Sequence, residues 1–354
     1  MEVLSTVLQL VGAIASLIIL HEIGHFLGAR LFKIEVEEFG IGFPPRILTL
    51  FKMKGTRYTL NWLPLGGFVR IKGEGDPTVP GGLAASSPWV RLAVYAAGPL
   101  MNLLAAVVLY AVIAANIGMP DPTQVMILDV SPGSPAEAAG LQAGDIILEI
   151  DGEPIDTMER VQRAISARLG KEIDLTFQRE EQVHTVRLVP RENPPEGEGA
   201  IGIMMGNPTQ PIEWFQALPI GAVSTFNHSL SLLTLPADIV RGSIAPEDAR
   251  PVGYKGMFDI YQSVQEQEIV PGASKSLSAL WFFTTVTISL GVFNLLPIPA
   301  LDGGRMLFTL PEIIFRRRIP AHIQNAVNAI SFALMILLFF YINYLDFANP
   351  IQLP

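Results

Sequence analysis

The chain is 354 residues long, 50% hydrophobic and only 16% charged, with a formal net charge of -9 and no cysteine. A soluble domain carries roughly 25% charged residues, so an ordinary soluble enzyme is excluded, and the acidic balance argues against a nucleic-acid binder. Without thiols there is no disulfide framework, cysteine nucleophile, iron–sulfur cluster or thiolate zinc site, so a metal would need His, Asp or Glu ligands.

Crossing a hydrocarbon core takes about 20 apolar residues as helix. Four blocks are long enough: residues 3–32, 89–117, 277–310 and 323–345. A fifth stretch, 214–235, is interrupted by Pro219 and by Ser224, Thr225, Asn227, His228, Ser229 and Ser231, so an interfacial amphipathic helix is expected there. A cleaved signal peptide does not suit the first block, because Met1 and Glu2 offer no basic region and no small-residue cleavage site precedes His21.

Charge asymmetry sets the expected orientation. Lys33, Arg46, Lys52, Lys54, Arg57, Arg70 and Lys72 lie between the first two blocks, and Arg316, Arg317 and Arg318 between the last two. Both loops are expected to face the cytoplasm. Both termini and the long connection 118–278 then lie outside. That connection holds 23 acidic and 11 basic residues, so the net negative charge belongs to it and the membrane part is mildly basic.

Within the connection, short apolar runs at 125–128, 146–150, 173–177 and 183–189 are punctuated by turn signals and read as strands. Short helices are expected at 134–139 and 158–169. Ser134-Pro135-Ala136, Ala139-Gly140-Leu141, Ala143-Gly144-Asp145-Ile146-Ile147 and Ile150-Asp151-Gly152 together resemble a PDZ domain over about 80 residues. PDZ domains capture extended peptides by adding a strand to a sheet edge; a folded spacer that excludes large ectodomains is the alternative. Residues 191–199 read as a solvated loop, and Met204-Met205 as core or lipid-facing.

The chemistry lies in the first block. In His21-Glu22-Ile23-Gly24-His25 the two histidines, four apart, share one helix face and suit two zinc ligands, and Glu22 can reach a metal-bound water. The position makes this five-residue pattern informative, because each charged group at the bilayer centre costs roughly 2.5–3.5 kcal/mol. A catalytic zinc usually takes three protein ligands and leaves a fourth position for water. Asp302 is the candidate third ligand, as the only acidic residue within the third and fourth blocks. Counted as helix, His21, His25 and Asp302 reach similar depths of about 27–34 Å from the outer side. This agreement requires an even number of crossings between them, which supports the interfacial reading of 214–235. Pro297 and Pro299 break the helix just before Asp302, and Gly303-Gly304 relaxes the chain after it. Asn294 is either a satisfied core amide or a holder of substrate backbone. His184, His228 and His322 lack ligand spacing.

The His-Glu-x-x-His, the distant Asn-x-x-Pro-x-Pro-x-Leu-Asp-Gly-Gly and the intervening PDZ-like module resemble the bacterial site-2 protease family of intramembrane zinc metalloproteases, over nearly the whole chain. The resemblance implies that Gly40-Ile41-Gly42-Phe43, Arg57 to Leu60 and Pro64 to Val69 form a membrane-associated β-hairpin, and that Gly98-Pro99-Leu100-Met101-Asn102 opens the second helix. The expected fold is a polytopic α-helical membrane protein with four transmembrane helices, that hairpin and an inserted extracytoplasmic α+β PDZ domain. The segments are 1–118 (helices 1 and 2 with the hairpin), 119–206 (PDZ), 207–276 (interfacial helix and linker) and 277–354 (helices 3 and 4). A single PDZ module departs from members that carry two.

On this reading His21, His25 and Asp302 hold Zn2+, Glu22 is the catalytic base, and Leu60, Asn61, Gly66, Gly67, Asn294, Pro297 and Pro299 bind substrate. The hairpin edge around residues 60–69, with Asn294, is expected to clamp an unwound substrate segment. The family implies regulated intramembrane proteolysis of single-pass substrates, such as trimmed anti-sigma factors or signal-peptide remnants, in the inner (cytoplasmic) membrane. A metal-ion transporter or a membrane-anchored PDZ scaffold are the rival classes. The first usually carries helix repeats, and none is evident; the second leaves Glu22 and Asp302 without a purpose.

Overall fold

The computed structural model describes residues 2–195, 197–245, 249–266 and 275–350. Part of the expected linker, 267–274, lies outside them. The chain divides into two compact units, residues 1–113 with 214–354, and residues 114–213. In chain order the first half holds α1 (Glu2–Leu31), β1 (Val36–Met53), β2 (Thr56–Ile71) and α2 (Pro88–Ile117). Then come β3 (Met119–Pro120), β4 (Val125–Val130), α3 (Pro135–Ala138), β5 (Ile146–Ile150), β6 (Glu153–Pro154), α4 (Met158–Ser166), β7 (Ile173–Arg179), β8 (Gln182–Leu188), β9 (Ile203–Gly206) and β10 (Thr209–Gln210). The chain closes with α5 (Trp214–Val240), α6 (Tyr254–Glu266), α7 (Lys275–Leu295), α8 (Asp302–Phe315) and α9 (Ala321–Ala348).

Among the described residues four helices are long and apolar enough to cross a membrane: Val3–Leu31, Pro88–Ile117, Ser276–Leu295 and Ala321–Ala348. The third apolar block, expected as one stretch over 277–310, is two helices. α7 stops at Leu295 and α8 starts at Asp302, because prolines 297 and 299 remove backbone donors and Ala300 turns with φ 77°. Asn328 on α9 accepts the Ala300 N–H at 3.2 Å and pins this turn. A Cβ on Gly303 would collide with the Leu295 and Leu296 carbonyls, so α8 starts hard against the end of α7.

The β1–β2 pair is more than the expected simple hairpin. Residues 38–41 pair with 67–70 on one side and with 57–60 on the other, while 46–53 pair with 56–61. Each long strand therefore folds over, giving four rows in the order 46–53, 56–61, 36–41 and 67–71. Residues 67–71 form an end row. Ile47, Leu48, Leu50, Phe51, Met53 and Trp62 are exposed on this sheet, apolar side chains of the kind lipid covers.

α5 packs by its small Gly221 against the Val107 carbonyl of α2, and His228 bonds the Tyr110 hydroxyl at 2.8 Å. α6 packs Tyr261 and Val264 on Leu10 of α1 and Phe282 of α7. The buried Asp346 of α9 accepts the Gly253 and Gly256 N–H groups (2.8 and 3.0 Å) and pairs with Arg250 at 3.1 Å, so one carboxylate clasps the segment leading into α6.

The second unit is a sheet in the order β8-β7-β5-β4-β9, with β6 on β5. Val125, Ile127, Ile147, Ile150 and Leu175 bury one face against Val161, Ala164 and Ile165 of the amphipathic α4. Ser134 and Thr157 cap α3 and α4 by accepting the N–H groups of Glu137 and Arg160. β9 was not expected; its Met204 is exposed while Met205 packs on the core, the alternation of an edge strand. The motif residue Asp145 is 1% exposed. It receives Arg179 through both carboxylate oxygens at 2.7 Å and the Gln142 N–H at 2.8 Å. These bonds hold the Arg179 guanidinium above its ordinary pKa and tie the Gly140–Asp145 turn to β7. Asp145→Ala strands these donors and should destabilise the module by about 2–3 kcal/mol. Denaturant titration followed by limited proteolysis of the full chain checks it; an unchanged midpoint would remove this role.

Candidate active site

α1, α2 and the start of α8 bring one group of side chains together. The His21, His25 and Asp302 ligand atoms lie within 4.8 Å of one another, and all three residues are buried. His21 Nε2 and His25 Nε2 are 3.0 and 3.2 Å from the same Asp302 oxygen and 3.1 Å from each other. His25 Nδ1–H donates to the Val94 carbonyl at 2.8 Å. In neutral His25 that bond leaves Nε2 as a bare lone pair. A lone pair then faces a carboxylate oxygen and a second imidazole nitrogen, an arrangement that repels unless a cation sits among them. Tetrahedral zinc, with ligand bonds of about 2.0–2.1 Å, spaces its ligand atoms by about 3.3 Å. The triangle observed has nearly the size of one face of that tetrahedron, so the donor set fits zinc. Asp302 stands in the first turn of α8, where the helix dipole favours its negative charge.

Glycines let the helices close on this triangle. A Cβ on Gly98 would occupy the space of His25 Nε2 and lie 2.8 Å from His21 Nε2, and one on Gly24 would strike the Ala97 carbonyl. Asn102, fully buried one turn further along α2, puts its side-chain amide 3.4 Å from His21 Nδ1, and its Oδ1 has no partner. Turned so that Oδ1 accepts Nδ1–H, the amide satisfies both atoms and leaves His21 Nε2 free for metal. The sequence reading has residues 98–102 open the second helix and gives the amide no role; the segment instead lies inside α2, which starts at Pro88. The signal was the contact itself, 81 residues apart.

A cavity of about 260 Å³ adjoins the triangle, lined by Glu22, Phe68, Val69, Tyr95, Asn294 and Arg305 among others. Glu22 is on the histidine face and lines the cavity with Val69, beside Gly67 of the end row. The remaining expected substrate residues divide. Asn294 lines the cavity, although its Nδ2 donates to Leu290 O of its own helix at 2.9 Å. Pro297 and Pro299 shape the turn rather than the cavity wall. Leu60 and Asn61 require correction. Leu60 is paired on both sides, with Ile41 and Leu48, and Asn61 is buried, donating to the Gly42 carbonyl at 3.1 Å. Their row is internal, so no strand can add there. Gly66 and Gly67 instead bring the end row close to α1, beside Ile18 and beside Ile19 and Glu22, and the wall itself is Phe68, Val69 and Ile71.

The model of peptidase family M50 matches residues 9–338 of this chain. A protein named as a zinc metalloprotease from Clostridium perfringens is 33% identical over 340 residues, covering 96% of this chain and 97% of its own. Another so named, from Campylobacter jejuni, is 32% identical over 370 residues, covering 99% and 94%. Over 23% of its length the chain is also similar to the crystal structure of the PDZ domain of an SdrC-like protein from Listeria monocytogenes, at 24% identity, 85% of that chain and a TM-score of 0.21.

Two substitutions test the triangle directly. Gly98→Ala should abolish stoichiometric zinc in the purified protein, since the methyl takes the ligands' space. Asn102→Leu should weaken zinc binding about 10- to 100-fold while leaving the fold intact, read by competition with a chromophoric chelator. Zinc affinity equal to the parent chain in either variant contradicts the corresponding contact.

Proposed function

The chain belongs to peptidase family M50 and is a zinc metalloprotease, and on that premise we propose that it cleaves peptide bonds inside the transmembrane segments of single-pass proteins. The observation that carries this reading is the triangle of facing acceptors His21, His25 and Asp302, with Glu22 on the helix of the two histidines, in a cavity among apolar helices. Trimmed anti-sigma factors and signal-peptide remnants are the substrate types proposed. The membrane is the cytoplasmic one, with the catalytic residues towards its inner side and the PDZ-type module outside.

His21, His25 and Asp302 would hold the zinc, which supplies Lewis acidity: it acidifies a bound water and polarises the scissile carbonyl. Glu22 accepts the water's proton and returns it to the leaving amine. Glu22 faces the cavity beside Val69 of the end row. Asn294 contributes a polar group opposite the β-sheet for the substrate backbone. The substrate helix must unwind, because its carbonyls are bonded internally. Its extended segment then adds along residues 67–71, the end row of the sheet beside the cavity.

Glu22→Gln should retain zinc and lose at least about a thousandfold in cleavage of a reconstituted single-span substrate, since proton transfer typically contributes 10²–10⁴; near-normal turnover would sink the assignment. The chain has no cysteine, so single-cysteine variants report strand addition cleanly. In a Glu22→Gln background, Phe68→Cys should form a disulfide with a cysteine placed near the scissile bond of the substrate, and Leu60→Cys should not. The reverse pattern would discard the end row as the docking strand.

A further inference from the structure

Behind the catalytic cavity lies a second, larger one of about 550 Å³. The two share Glu74, Tyr95 and Arg305. Arg305 pairs with Glu74 and lies over the Tyr95 ring, 5.7 Å from its centre, so one ion pair and one aromatic ring partition the two spaces. On the far wall Arg91 and Arg318 converge on the single carboxylate of Glu312. Arg91 is 7% exposed, and its Nε has no hydrogen-bond partner. Three guanidinium groups thus face two carboxylates, leaving the chamber one positive charge in excess, with Asn325 and Asn328 as neutral polar lining.

Hydrolysis turns an amide into a carboxylate and an amine. A carboxylate created at membrane depth is costly unless a cation or water receives it. Beyond the three proposed metal ligands, the only cation lining the catalytic cavity among the described residues is Arg305, and the next are Arg91 and Arg318. We propose that the second chamber is a product site for the new C-terminal carboxylate. Arg305 exchanges Glu74 for the product carboxylate, and Arg91 and Arg318 then hold it by paired N–H donors, the geometry in which a guanidinium binds a carboxylate best. Glu312 keeps these two side chains in place until the product arrives. This inference rests on the protease reading, because the carboxylate is that reaction's product.

The test uses the zinc-loaded full chain in detergent, in a Glu22→Gln background that leaves the peptides uncut; a preference owed to zinc itself would survive in the arginine variants. Two fluorescent apolar heptapeptides, identical except for a free or an amidated C-terminus, are titrated by anisotropy. The free acid should bind at least about tenfold more tightly than the amide, as expected for a hydrogen bond to a charged group. Arg91→Gln with Arg318→Gln should remove that preference, and Arg318→Lys alone should preserve most of it. Equal binding of acid and amide to the parent chain overturns the proposal without reference to any variant's folding. So does a preference that survives in the double variant. Displacement of the acid peptide by inorganic phosphate at lower concentration than by unlabelled acid peptide also overturns it, in favour of a phosphate headgroup. If the zinc-loaded chain with Glu22 intact cleaves no membrane substrate, yet the acid–amide preference is present and is lost in the double variant, the protease reading falls and the carboxylate site stands.

Discussion

Three acceptors facing one another among apolar helices form the constraint on which this structure turns. The His25 Nδ1–H bond to Val94 O commits the other ring nitrogen to lone-pair character, and Asp302 brings a carboxylate to the same point. Such an arrangement is unfavourable by itself, so a cation is part of its stability as well as of its chemistry. The surrounding sequence serves that point. Gly24 and Gly98 remove the side chains that would hold α1 and α2 apart. The break between α7 and α8 lets a helix start, with its favourable dipole, at the acid. Asn102 takes up the His21 nitrogen that faces away from the metal. Each is intelligible only as a condition for bringing the three ligand atoms within reach of one ion.

What could be read in the sequence was what short-range chemistry specifies. Helical spacing places His21 and His25 on one face whatever follows, and two prolines only two residues apart, just before Asp302, favour a break in the helix there. The long apolar runs have no alternative to helix at membrane depth. The sheet was a different matter. Residues 36–71 contain a simple hairpin's signals, and nothing local says that each strand bends over so that two rows pair along both edges. Leu60 therefore looked like an edge and is interior, while residues 67–71 are the edge. β9 was missed for a related reason: four residues flanked by glycines carry too little alternation to stand out before β4 is there to pair with them. The convergence of Arg91 and Arg318 on Glu312, with 221 residues between the first pair, is visible only once α2 and α8 are packed.

The end row also bears on how a helix can be a substrate at all. Its outward N–H and C=O groups, in hydrocarbon, would each cost several kcal/mol unsatisfied. Gly67 lets this row approach Glu22, which sets the proposed proton carrier beside the strand on which substrate would be laid. A substrate helix that unwinds exposes the same kind of groups over a few residues. Brought edge to edge, the two deficits cancel: the donors and acceptors lost from the helix are replaced by those of residues 67–71. Unwinding is then an exchange of partners, costly in solution or lipid but nearly balanced at this one place. Selectivity follows from what limits the exchange. Segments rich in leucine resist it, since their helix is intrinsically stable. Segments with glycine, proline or polar residues already have weakened internal bonds, so on the proposed function they would reach the extended form beside Glu22 at lower cost, and the sheet edge would discriminate without contacting any particular side chain.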